Sequence, residues 1–255
     1  MSSASIICDT NIWYSVDSLI KTDPKANLCG TLINLLELCR TPWNLDSTEV
    51  AQVACKQLIQ RNKGICVYSP MKSISVISGL GVDDGNEDQI RDCMTFIAGI
   101  AEGDIIKPEK LEVFRKMIEH EQQRLTDIAA QLNALVASVR SIGIDKRDPR
   151  RDEDMTATKQ FVASMVGRSI KQEVTIEQIH WEEIELFLHT MHHLHLDLEV
   201  SSRQWQPNDI NDLYNLAYVG KEDLYWTLEK RWLHLIRGAG MGHYLFSPEH
   251  PSSPK

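Results

Sequence analysis

The sequence predicts an α/β fold: a central parallel sheet flanked by helices, interrupted by a large all-helical insertion. Three observations carry this. Short apolar, β-branched runs such as Ser5-Ile6-Ile7-Cys8 end abruptly on polar residues, the pattern of buried parallel strands. Strand and helix patterns alternate in residues 1–85 and again in 201–246. Between them, composition changes: residues 86–200 hold 14 Lys+Arg against 22 Asp+Glu, while the flanks hold 13 against 14. All six tyrosines and five of the six tryptophans also lie in the flanks. The expected organisation is a core in two parts, 1–85 and 201–246, a helical insertion at 86–200, and a disordered tail at 247–255.

The totals bound the function. At 255 residues the chain is long enough to bury a substantial core. Its net charge of −9 argues against a surface that coats nucleic acid. No apolar run reaches the length needed to span a bilayer, and no secretory signal is apparent at the start. The six cysteines, at 8, 29, 39, 55, 66 and 93, form no CxxC pair. They fit small buried hydrophobes in a reducing cytoplasm better than zinc ligands.

In chain order, Ser5–Cys8 is the first strand and Ile12–Ile20 a short helix, with a turn at Asp23-Pro24. Asn27–Cys29 is a second strand. A helix starting at Thr31, its N-cap, ends at Thr41-Pro42-Trp43. Asp46 or Ser47 caps the next helix, which Gly64 stops. Ile65–Ile77 fits one or two strands broken at Pro70, followed by a loop over 79–85. After Pro108, Leu111, Phe114, Ile118, Leu125, Ile128, Leu132, Leu135, Val139 and Ile142 recur in three- and four-residue steps, broken only at Glu121. That is a coiled-coil-like seam of roughly 50 Å, suited to self-association or to packing within the insertion. Residues 145–154 form a mixed-charge loop, and Thr175–Gln178 a capping box opening a helix through 189–195. His189, His192, His193 and His195 fit a polar stripe between helices better than a metal site. Asp209 or Asn208 caps a helix with Asp212 in its first turn. Leu224–Thr227 is a strand, Glu229 opens a helix, and His243–Phe246 forms a last strand.

Four carboxylates then draw attention. Asp9 ends a strand, at the mouth where parallel sheets carry their chemistry. Glu37 sits between Leu36 and Leu38, where an ionised group is costly unless paired. Asp212 lies in a helix, and Glu229 follows the strand that ends at Thr227. Each has an ordinary reading as well: turn residue, polar helix face, cap. If they converge, they repel and need cations, and oxygen-only ligands select Mg²⁺ or Mn²⁺.

The stretches Ile7-Cys8-Asp9-Thr10-Asn11, Thr31-Leu-Ile-Asn-Leu-Leu-Glu37-Leu38, Asn208–Tyr214 and Trp226–Lys230 resemble, in order and spacing, the PIN-domain family of metal-dependent nucleases. The resemblance covers the two flanks and leaves 86–200 unmatched. It implies a PIN-like Rossmannoid core and an endoribonuclease that leaves 5′-phosphate and 3′-hydroxyl ends. By the same resemblance Asp9, Glu37 and Asp212 hold the metal and Glu229 completes the pocket. Asp209 is then an auxiliary ligand, and Thr10, Asn11 and Thr227 are supports. The family has Asp where Glu229 stands; Glu is one methylene longer, which puts a second metal in doubt, and Asp223 is a substitute. Lys230, Arg231 and Arg237 follow the last acid and suit phosphate contacts. The expected partner is RNA, with DNA open. The alternative is a catalytically silent PIN-like scaffold that binds a protein partner through its helical insertion.

Overall fold

A computed structural model describes residues 4–19, 27–44, 48–81, 87–104, 108–143 and 149–248. Four short strands, β1 (Ile6–Cys8), β2 (Leu28–Thr31), β3 (Gly64–Cys66) and β4 (Leu224–Trp226), make an all-parallel sheet in the order β3-β2-β1-β4. Ile7 lies opposite Cys29 on one side and Tyr225 on the other. Alternate residues of β1 face opposite layers: Ile7 enters one apolar core, Ile6 and Cys8 the other. Burial on both faces explains why β1 reads as an unbroken apolar run.

The helices are α1 (Thr10–Trp13), α2 (Val16–Leu19), α3 (Leu32–Asn44), α4 (Thr48–Arg61), α5 (Pro70–Ile77), α6 (Glu87–Glu102), α7 (Pro108–Arg140), α8 (Pro149–Glu153), α9 (Thr156–Ile170), α10 (Glu185–Val200), α11 (Pro207–Leu216) and α12 (Lys230–Gly238). Cys93, Phe96 and Phe114, from α6 and α7, join the layer that holds Trp13, Leu35 and Trp226. The other layer joins Leu125, Leu132, Val166 and Met191, from α7, α9 and α10, to Ile7, Tyr225 and Trp232. Helices of the 86–200 segment therefore contribute to the cores on both sides of the sheet.

Several local expectations are corrected. The helix over 12–20 is two short pieces. α3 runs through Pro42, because burial of Leu35, Leu38 and Cys39 outweighs one lost backbone bond. Gly64 does not stop α4 but starts β3, beside Cys29. The second strand expected in 65–77 is α5: Pro70 at its first turn suits a helix start, and Met71, Ile74 and Ser75 bury one helical face. The Thr175–Gln178 box forms, with Thr175 N donating to Gln178 Oε1 at 2.8 Å, but it opens a single 3-10 turn. Trp181 Nε1 donates to Ile176 O and ties that turn back, so α10 begins only at Glu185.

The mixed-charge loop contains α8, whose Arg151 grips the buried Glu199. The cap of α11 is Gln206 with Asp209 as its N3 partner, which leaves Asp212 in the second turn. The last strand reduces to one parallel bridge, Leu245 to Tyr225, after a 3-10 turn. In the seam, Phe114, Leu125 and Leu132 are buried within the chain, whereas Leu135 is 48% and Ile142 77% exposed, the latter beyond the end of α7. The His stripe does lie between helices: His192 Nδ1 meets Thr158 Oγ1 at 2.9 Å and Nε2 meets Arg151 O at 2.8 Å. The expectations at Asp23-Pro24, Asp46 and Ser47, and for most of the 79–85 loop and the 247–255 tail, fall outside the described residues.

Among the described residues no helix is long and apolar enough to cross a membrane. All six cysteines are free.

Candidate functional site

The strand order reverses between β1 and β4, and the crevice beyond their carboxyl ends is where open parallel sheets bind ligands. Asp9 stands there, one residue past β1 and 4% exposed. Its Oδ1 accepts from Thr10 N at 2.7 Å, and its Oδ2 from Thr227 Oγ1 at 2.7 Å and Asn11 Nδ2 at 2.8 Å. Thr227, one residue past β4, thus joins the first turn of the protein to its last strand. Burial raises the pKa of Asp9, and these three donors pull it partly back.

Glu37 arrives from β2 through α3. Thr31 caps that helix as expected: its Oγ1 accepts from Asn34 N at 3.2 Å, and Asn34 Oδ1 accepts from Thr31 N at 2.9 Å. Asn34, fully buried, also accepts from Trp13 Nε1 and donates to Thr10 Oγ1 at 3.0 Å. Thr10 in turn donates to Glu37 Oε2, and Asn211 Nδ2 to Glu37 Oε1. Burial of the Glu37 carboxyl pushes its pKa up to about 7; Asp9 adds to the rise, while Thr10, Asn211 and Arg40 oppose it.

Asp212 projects from α11, and its Oδ2 accepts from Trp232 Nε1 at 2.8 Å. Its pKa is raised to about 8, first by burial, then by Asp9 and Glu37 and, more weakly, by Glu229. Glu229, the N-cap of α12, is raised by burial and by Asp9, against the pull of Arg231. The four predicted acids thus lie within one electrostatic field. The hydroxyl of Tyr225 is buried and without a hydrogen bond, and its pKa is raised by burial and by the same four carboxylates.

Other expected residues are placed elsewhere or otherwise engaged. Asp209 is 2% exposed: its Oδ2 accepts from Gln206 N at 3.1 Å and its Oδ1 pairs with Arg231. Burial opposes the charge on Arg231, but Asp209, Glu229 and Asp212 outweigh it and hold its pKa up. Arg231 therefore faces carboxylates at the rim of the cluster. Lys230 is exposed beside it. Arg237 lies about two helical turns on, exposed at the far end of α12. Asp223 accepts from Ser5 N and Gly220 N, at the amino edge of the sheet and away from the cluster.

Asn34, Asn211, Tyr225 and Trp232 were not singled out from sequence. One signal was available: Asn34 lies three residues before Glu37, on the same helical face.

The donors offered here, carboxylates with hydroxyl neighbours, suit a hard cation such as Mg²⁺ or Mn²⁺. The ligation shell itself is not assembled: among the described residues no group of three or more His, Cys, Asp or Glu side chains is set to hold a metal. The carboxyl oxygens of Asp9 and Glu37 are taken up by Thr10, Asn11, Asn211 and Thr227 instead. No family model, no curated protein and no solved structure matches this chain.

Proposed function

We propose that the chain is a PIN-like, Mg²⁺- or Mn²⁺-dependent endoribonuclease whose site is Asp9, Glu37, Asp212 and Glu229. The observation that supports the reading is convergence: carboxylates from four separate segments come together at the switch point of a parallel sheet, where burial first and the charge of Asp9 second raise the pKa of Glu37, Asp212 and Glu229. Such an arrangement is costly to fold unless it serves a cation or a proton.

Asp9, Glu37 and Asp212 would hold the ion, with Glu229 at the pocket edge. The chemistry such an ion would supply when bound is polarisation of the phosphate and a lowered pKa for an attacking water. The protein's own part is orientation. Thr227 and Asn11 fix the Asp9 carboxyl, Thr10 and Asn211 fix Glu37, and Trp232 fixes Asp212. Arg231, at the rim, supplies positive charge close to where a phosphate would approach. Free cysteines suit a reducing, cytoplasmic setting.

The missing ligation shell and the longer Glu229 favour a second reading, a silent scaffold with a protein partner. One assay separates the two. Single-stranded RNA with Mn²⁺ is expected to be cut by the wild type and at least about a hundredfold more slowly by Asp9→Asn, a loss of about 3 kcal/mol in transition-state stabilisation. Equal background cleavage by both proteins removes the nuclease reading.

A further inference from the structure

One polar group at the acid cluster is used by none of its bonds. Tyr225 is the middle residue of β4, opposite Ile7 of β1, and is 1% exposed. Side chains alternate along an extended chain, so Tyr225 points into the same layer as Thr227, two residues nearer the mouth. On the neighbouring strand Ile7 and Asp9 are related in the same way. Tyr225 shares its apolar layer with Ile7 and Trp232. Thr227 holds the Asp9 carboxyl, and the Trp232 indole holds that of Asp212. The phenol therefore stands inward of the cluster, between the two ties that orient its acids.

The Tyr225 hydroxyl is buried and has no hydrogen-bond partner among the described residues. After burial, the groups that act on it are Asp9, Asp212, Glu37 and Glu229, in that order, and all four keep it protonated. It is a permanent donor facing an anionic pocket. None of the four carboxylates accepts from it. Asp9 Oδ2 already takes two hydrogen bonds, from Thr227 and Asn11, and Asp212 Oδ2 takes the indole N–H.

A buried donor without an acceptor carries a free-energy penalty that a bound polar group removes. A bare cation does not remove it, because the hydrogen end of an O–H dipole is positive. A water does, since it accepts from the phenol and donates its own protons to carboxylates. Four converging carboxylates also call for positive charge. A divalent ion that keeps waters, as Mg²⁺ characteristically does, meets both needs at once.

We infer that the pocket takes a divalent ion together with part of its water shell, and that Tyr225 is the positioning residue that holds one of those waters on the inward side. The inference rests on the metal site of the nuclease reading and does not require that RNA be cut.

The test is Mn²⁺ binding to the full chain, read from the electron paramagnetic resonance of the free ion, beside urea unfolding in EDTA. Tyr225→Phe keeps the ring and removes only the unpartnered hydroxyl. Its urea midpoint in EDTA is expected to equal or exceed that of the wild type. Its Mn²⁺ dissociation constant is expected to rise about tenfold, the effect of losing one hydrogen bond in the loaded site. A merely structural tyrosine gives the opposite pattern, a lower midpoint and an unchanged Mn²⁺ affinity. Weaker Mn²⁺ binding by the variant, with RNA left uncut by the wild type, keeps the inference and removes the nuclease reading. RNA cut by the wild type, with equal Mn²⁺ affinity in the two proteins, does the reverse. The inference is overturned if the wild type binds no Mn²⁺ at millimolar concentration, if Tyr225→Phe binds it as tightly as the wild type, or if the variant unfolds at lower urea in EDTA.

Discussion

Replacing Asp212 by Asn should stabilise the protein, and only at high pH. The carboxyl goes from an ordinary value of 3.8 to about 8 on folding, chiefly through burial and the charges of Asp9 and Glu37. Because the folded state holds the proton more tightly, stability is intact below about pH 4 and falls as pH rises towards 8. The rise from 3.8 to about 8 sets a ceiling of about 5 kcal/mol at pH 8, at about 1.36 kcal/mol for each tenfold change in proton affinity. Burial and the charges of Asp9 and Glu37 share that rise, and the Asn side chain is buried as well, so the expected gain is about 2–3 kcal/mol. The amide oxygen of Asn still accepts from Trp232. Urea unfolding in EDTA from pH 4 to 9 should therefore show the variant gaining about 2–3 kcal/mol at pH 8.5 and almost nothing at pH 4. Millimolar Mn²⁺ should narrow the gap by stabilising the wild type, as any ligand of the native state does. A pH-independent difference, or a variant less stable than the wild type at pH 8.5, would refute the claim that these carboxylates repel one another in a shared pocket.

Asn34→Ala should cost about 2–4 kcal/mol, because it leaves Thr31 N and Trp13 Nε1 buried without an acceptor; urea midpoints test this. In Gly167→Ala the new Cβ would lie 2.6 Å from the Gln172 carbonyl oxygen, so a loss of about 1–3 kcal/mol is expected, read from the melting temperature. Glu199 is held below the ordinary carboxylate range by Arg151 and His195, against the opposing effect of burial. Its contribution is present at neutral pH and disappears as pH falls through that depressed value. Glu199→Gln should release α8, with faster proteolysis around 149–153 at pH 7.

The parallel sheet and the position of Asp9 were legible in the sequence because both follow from one local rule: an apolar run buried on both faces ends at a polar mouth. The acids of the cluster were legible for a related reason, since a carboxylate inside an apolar stretch, as at Glu37, is conspicuous. What failed was context-dependent. Pro42 and Pro70 were both read as breaks, yet the first rides inside a packed helix and the second starts one. Asp209 reads from sequence as a helix cap or an auxiliary ligand, and in the structure it is the N3 partner of the α11 cap and pairs with Arg231. Asn34, Asn211 and Trp232 carry ordinary signals in one dimension. Their roles exist only because α3, α11 and α12 meet above the same sheet edge, and nothing local encodes that meeting.

The tie between Asp9 and Thr227 spans 218 residues. β1 is synthesised long before its β4 neighbour, and closing so long a loop is slow. A nascent polypeptide whose synthesis has not reached α11 lacks Asp212, Thr227 and Glu229 altogether. It therefore holds only half a pocket, which is completed once translation has passed Glu229.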